Sequence, residues 1–149
     1  MKKLFSIYIL ILLTACSNYT PIYTTNQINF YIDKIEINDD NKLIRKIVKK
    51  LKPYSIKNEK QAITLKLDLN KYENIIMKDA KGDPASFEIK INLLVIVNSK
   101  NYERKLNFEE KFNFNNKSNK FELNQYKENM QTNILDKIFE SLILELRTI

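Results

Sequence analysis

Histidine and tryptophan are absent from this chain of 149 residues, which has a single glycine, a single cysteine and three prolines. Each scarcity removes a class of chemistry. Without histidine there is no imidazole to act as general base near neutral pH, and the commonest metal ligand is missing. One cysteine cannot close an intramolecular disulfide or build a thiolate metal site. One glycine cannot supply the glycine-rich loop whose backbone wraps a phosphate. The carboxylates are scattered, and the adjacent Glu109 and Glu110 point to opposite faces of a strand. No stretch beyond residue 13 is apolar for the roughly 20 residues that a membrane-spanning helix needs. No catalytic residue, metal or cofactor is expected, and no nucleic-acid partner.

What is present begins at the N-terminus. Lys2 and Lys3 precede an apolar run from Leu4 to Leu13 that closes on Thr14-Ala15-Cys16. A basic start, a short apolar core and small residues at its end describe a secretory signal, too short to span a bilayer. Leu13-Thr14-Ala15-Cys16 resembles the lipobox of bacterial lipoproteins, which implies cleavage before Cys16 and covalent diacylglycerol and N-acyl chains on it. Acylation also removes a free thiol from an oxidising compartment. Ser17, where retained lipoproteins carry Asp, favours passage to the outer membrane. Residues 1–15 are thus read as signal peptide, 16–27 as a polar lipidated tether, and 28–149 as one domain. The formal charge is +7, and loss of Lys2 and Lys3 leaves +5, which suits anionic partners. The abundance of Lys, Asn and Ile, typical of an AT-rich genome, tempers that inference.

Along the domain the hydrophobic period changes three times. Ile28, Phe30 and Ile32 alternate with polar residues, and Ile35 and Ile37 resume one residue out of step, which predicts a strand bulged near Asp33. Asn38-Asp39-Asp40-Asn41 offers turn and N-cap chemistry. Leu43, Ile44, Ile47, Val48 and Leu51 follow at helical spacing until Pro53, with a basic side of Lys42, Arg45, Lys46, Lys49 and Lys50 expected to be solvated. Period two returns at Ile63, Leu65, Leu67 and Leu69, predicting a second strand that extends toward Met77. A turn at Lys81-Gly82-Asp83-Pro84 leads to Phe87, Ile89, Ile91, Leu93, Val95 and Val97, and one at 98–101 leads to Leu106, Phe108, Phe112 and Phe114. After a polar linker over 115–120, the positions Leu123, Tyr126, Met130, Ile134, Ile138, Leu142 and Leu146 step by three or four, widened by Leu135, Phe139 and Ile143. They predict a long amphipathic helix over one sheet face. The fold class is therefore α+β, two helices on a four-stranded, mostly antiparallel or mixed sheet in the order β-α-β-β-β-α.

This order, the start Cys16 with Pro21-Ile22-Tyr23, the basic helix after the first strand, the Gly82 to Val97 hairpin arm and the aromatic strand leading through Asn115-Asn116 into the last helix together resemble the LptE family of lipopolysaccharide-assembly lipoproteins. The form is the divergent alphaproteobacterial one. Ser17 departs from the Gly usual in that family's opening motif. The resemblance implies a non-catalytic plug inside the outer-membrane β-barrel LptD, forming a heterodimer that faces the periplasm and helps insert lipopolysaccharide. It further implies basic residues near the hairpin tip and before the last helix, here Lys78, Lys81, Lys117 and Lys120, as candidate contacts to lipopolysaccharide phosphate. Lysine suits a phosphate as a point charge. Two other readings stand beside it: a periplasmic carrier holding a lipid or peptide between helix and sheet, and a pilot lipoprotein of another secretion pore.

Overall fold

The computed structural model describes residues 28–148, so the segments read as signal peptide and tether, with Cys16, lie outside the described residues. The elements are β1 (Phe30–Ile37), α1 (Lys42–Leu51), β2 (Gln61–Lys78), β3 (Pro84–Asn98), β4 (Glu103–Asn115) and α2 (Lys120–Arg147). The strands form one sheet in the order β1-β2-β3-β4. β1 runs parallel to β2, and β2-β3-β4 is an antiparallel meander. The fold class, element order and mixed sheet agree with the sequence reading.

The slip in β1 has a structural purpose. Register jumps between Ile32, opposite Ile63, and Lys34, opposite Thr64, leaving Asp33 as the extra residue. Side chains alternate faces along a strand, so without the bulge Ile35 and Ile37 would turn away from the face that holds Phe30 and Ile32. With it, Ile35 lies opposite Leu65 and packs against the core.

Both helices cover one face of the sheet. The core joins Ile63, Leu65, Leu67 and Leu69 of β2 and Ile89, Ile91, Leu93, Val95 and Val97 of β3 to Leu43, Ile44, Ile47 and Leu51 of α1 and the buried side of α2. On α2 that side is Leu123, Ile134, Leu135, Ile138, Leu142, Ile143 and Leu146. The Asn41 side chain caps α1 by accepting from the backbone N–H groups of Leu43 and Ile44, both at 3.0 Å. Asn119 does the same for α2, accepting from Phe121 and Glu122. α1 ends at Leu51, before Pro53, as the sequence predicts. The chain then makes a 3₁₀ turn over Lys52–Ser55, where proline occupies an early position that needs no intrahelical donor.

The basic side of α1 differs from expectation. Lys42, Arg45 and Lys49 are exposed and Lys46 and Lys50 half-buried, and three of its lysines, spaced by four, meet α2 at three positions spaced by four. Lys42 pairs with Glu128 at 2.9 Å, Lys46 donates to Thr132 at 3.1 Å, and Lys50 lies 2.8 Å from Asp136. The order of these contacts means that the helices run side by side in the same direction. Arg45 turns back to Asp40 at 2.7 Å, and Lys49 is exposed. Such half-exposed pairs contribute about 0–1 kcal/mol each; their larger effect is to set the helix register.

Candidate functional site

The long hairpin is built by strands that outrun their neighbour. Pairing of β1 to β2 ends at Ile37 opposite Leu67, while β2 continues to Lys78 and β3 begins at Pro84. Gln61 N–H donates to Asn29 and the Leu67 carbonyl accepts from Asn38 N–H, so odd-numbered residues of β2 aim their backbone groups at β1. Beyond Leu69, whose carbonyl accepts from the Asn41 side chain at 3.4 Å, the same groups of Lys71 and Glu73 face no strand among the described residues. This half of β2 is an open edge, carrying Lys71 and Lys78 as charged residues of the kind that discourage accidental pairing.

The hairpin tip is rigidly specified. The Asp79 carboxylate accepts from the N–H groups of Lys81 and Asp83 at 2.8 and 2.9 Å, the Asp79 N–H donates to the Asp83 carbonyl at 2.8 Å, and Gly82 N–H donates to Asp79 at 3.0 Å. Gly82 sits at φ +87°, in the left-handed region that side-chain-bearing residues disfavour. With Asp79 turned into its own loop, Lys78 and Lys81 are left exposed and without ion pairs among the described residues.

The second pair of candidate lysines comes to the same end of the sheet. Asn116 donates from its backbone to Ala85 at 2.8 Å and from its side chain to Pro84 at 2.7 Å, and Ser86, buried, donates to Asn115 at 2.8 Å. The start of α2 is thereby fastened to the base of the hairpin tip. Lys117 lies with its ammonium 5.0 Å from the centre of the Tyr126 ring. Lys120 is the first residue of α2 rather than part of a linker, because Asn119 is the cap. Thus Lys78, Lys81, Lys117 and Lys120 converge on one end of the molecule, three of them without a partner among the described residues and Lys117 held over a ring.

Sequence reasoning missed two features of this end. One is an aromatic cluster: Phe87 stacks on Phe114 with centroids 5.4 Å apart, and Tyr126 meets Phe112 and Phe114 at 6.2 and 6.1 Å. Lys127, paired with Glu73, places its ammonium 4.8 Å from the Phe87 ring. The other is exposed apolar surface on Tyr72, Ile75, Ile76, Met77 (56% exposed) and Phe121 (75% exposed). Ile75-Ile76-Met77 breaks alternation, and three successive apolar residues on a strand cannot all face one core; that run was the available signal. Cations beside exposed apolar side chains make a surface suited to an amphiphilic anion or to a protein wall.

Between α1, α2 and the β2 edge lies an open cavity of about 440 Å³, lined by Asp39, Lys42, Lys46, Lys71 and Glu128 among others. Of its polar lining, Lys42 and Glu128 pair with each other and Lys46 donates to Thr132. The sheet face beneath the helices is filled by their own side chains. No group of three or more acidic, histidine or cysteine side chains among the described residues could hold a metal. No helix among them is long and apolar enough to cross a membrane.

No protein-family model and no curated protein matches the sequence. Solved structures do match its fold. Rare lipoprotein B from Shewanella oneidensis superposes with a TM-score of 0.55 at 12% identity, covering 75% of this chain and 95% of that one. A candidate lipoprotein from Caulobacter crescentus matches with a TM-score of 0.51 at 13% identity, covering 76% of this chain and 88% of the other. Uncharacterized lipoprotein B from Nitrosomonas europaea gives 0.51 at 11% identity, over 86% and 89%. At these identities the likeness is one of fold.

Proposed function

We propose that this chain is an LptE-type outer-membrane lipoprotein, anchored through acylated Cys16, that plugs and helps assemble the lipopolysaccharide-translocating barrel LptD and carries out no reaction itself. The observation that carries the reading is the union of two independent facts. A lipobox-like Leu13-Thr14-Ala15-Cys16 precedes a domain whose fold is shared with three proteins described as lipoproteins, in each case over most of both chains. The hairpin end supports it, since an open β edge and exposed apolar side chains are the surface that a surrounding barrel wall would cover. Lys78, Lys81, Lys117 and Lys120 would there meet lipopolysaccharide phosphates. The carrier reading draws less support, because the sheet face beneath the helices is packed with their own side chains and the open cavity beside it is lined mainly by polar and charged residues.

The test is co-purification. Tagged full-length protein extracted from the membrane in mild detergent should leave with one large β-barrel in equal amounts, identified by mass spectrometry; a chain that comes away alone refutes the plug. Replacing Lys78 and Lys81 together with Glu should leave the barrel complex intact and weaken lipopolysaccharide binding, with the difference shrinking at high salt because exposed charges are screened. Unchanged binding at low and high salt would reduce these lysines to loop residues.

A further inference from the structure

The end of the sheet opposite the hairpin carries a second surface that the plug reading leaves unused. There the domain begins: Ile28 and Phe30, both buried, line a cavity of about 180 Å³ together with Pro53, Tyr54, Ile56, Asn58 and Lys60. Ile56 is 72% exposed, the most exposed large aliphatic side chain in the described domain. It stands in a loop that is ordered rather than slack. The Asn58 side chain donates to the Ile56 carbonyl at 3.3 Å and accepts from Lys60 N–H at 2.9 Å, and the Tyr54 ring rests against Phe139 with centroids 6.2 Å apart. Lys52 and Lys57, both exposed, lie within four residues of Ile56 in the chain, Lys60 lines the same cavity as Ile56, and Lys100 joins Lys60 across a neighbouring cavity. None of these four lysines has an ion pair among the described residues, and Glu59 is the only acid in the loop.

We infer that the loop from Lys52 to Lys60 is a membrane-contact element, with Ile56 and Tyr54 seated in the interfacial layer of the bilayer and Lys52, Lys57, Lys60 and Lys100 on anionic lipid headgroups. The inference rests on the reading that Cys16 is acylated. Eleven residues separate Cys16 from Ile28, and a chain of that length reaches at most about 40 Å. β3 alone, with 15 residues, extends about 50 Å. The end holding Ile28 is therefore the one the anchor keeps beside the lipid, and the hairpin is directed away. Charge complementarity selects the occupant: an exposed aliphatic side chain in a loop that carries lysines on both sides of it in the chain, next to a part-exposed tyrosine, is the composition that binds an anionic bilayer surface. The contact would orient the tethered domain, presenting the hairpin end away from the inner leaflet before any barrel is met.

The chain has no tryptophan, so Ile56→Trp introduces a single reporter at an exposed site where folding is not at stake. The acylated full-length product would be reconstituted in vesicles of phosphatidylethanolamine and phosphatidylglycerol, with and without brominated acyl chains. Ile76→Trp, at the hairpin end, is the reference. The expected result is blue-shifted emission quenched by bromine for Ile56→Trp alone, lost when Lys52, Lys57 and Lys60 are replaced with Glu. If mass spectrometry shows acylated Cys16 and the protein floats with the vesicles, yet the indole at position 56 emits as in water or both positions quench equally, this inference falls and the anchor reading survives. Quenching that persists after charge reversal refutes the headgroup contact. If Cys16 carries no lipid, anchor and contact fall together.

Discussion

Ile138 is the residue whose removal tests the architecture most directly. It lies in α2 with no solvent exposure, inside the cluster formed with β2 and β3. Truncation to Ala deletes buried carbon atoms and leaves a space that the packed sheet cannot fully close, at a cost of about 2–5 kcal/mol. Six residues further along the same helix, Leu144 is 52% exposed, and Leu144→Ala should change stability by no more than about 0.5 kcal/mol. Both substitutions end in the best helix former, so propensity does not explain a difference between them. In a domain of roughly 120 residues each 1 kcal/mol lowers Tm by about 4 °C, which places the Ile138→Ala loss at roughly 8–20 °C against about 2 °C or less for Leu144→Ala. Far-ultraviolet circular dichroism melts of the two variants beside the parent measure this. Equal melting temperatures for Ile138→Ala and the parent would mean that α2 does not seal the sheet. Equal losses for the two variants would mean that its buried face has been misassigned.

Three further outcomes follow from local geometry. Asn41→Ala removes the side-chain acceptor of two α1 donors and should cost about 1 kcal/mol, seen as a shift of the urea midpoint without a change in slope. Gly82→Ala meets no atom within 4 Å of the added carbon, so its cost of about 1–2 kcal/mol comes only from holding φ at +87°; Gly82→Asn, which tolerates that region better, should lose less in the same assay. Hydrogen bonds from Lys34, Arg45, Lys90 and Lys42 depress the carboxyl pKa values of Glu36, Asp40, Glu109 and Glu128 respectively. Their stabilisation is present above the ordinary values of 4.5 for Glu and 3.8 for Asp and is lost as pH falls through the lower folded values. With no histidine, Tm should be level from about pH 5 to 8 and decline only on further acidification; a step near pH 6.5 in a melting series would contradict this.

What the sequence determined by itself was everything carried by a short repeat. Alternation placed Ile63 to Leu69 and Phe87 to Val97 on strands, four-residue steps placed Ile134 to Leu146 on one helix face, and the broken alternation at Asp33 announced a bulge before any partner strand was known. These are properties of backbone geometry acting on neighbours, so no tertiary information is needed to read them. The resemblance of Leu13-Thr14-Ala15-Cys16 to a lipobox is read from a contiguous stretch in the same way, and lies outside the described residues. Tertiary structure alone decided what depends on residues distant in the chain. That β1 lies parallel on the outer edge of β2, leaving Lys71 to Lys78 as an open edge, follows from where α1 returns the chain. That Lys42, Lys46 and Lys50 meet Glu128, Thr132 and Asp136, each pair 86 residues apart in the chain, depends on two helices settling side by side on one sheet, and a helical wheel of α1 shows only a charged face. The convergence of Lys78 and Lys81 with Lys117 and Lys120 required Asn116 to bond Pro84 and Ala85. Hydrophobic period records which face is buried and carries no information about which other buried face it will meet; the choice among faces is made by long-range packing.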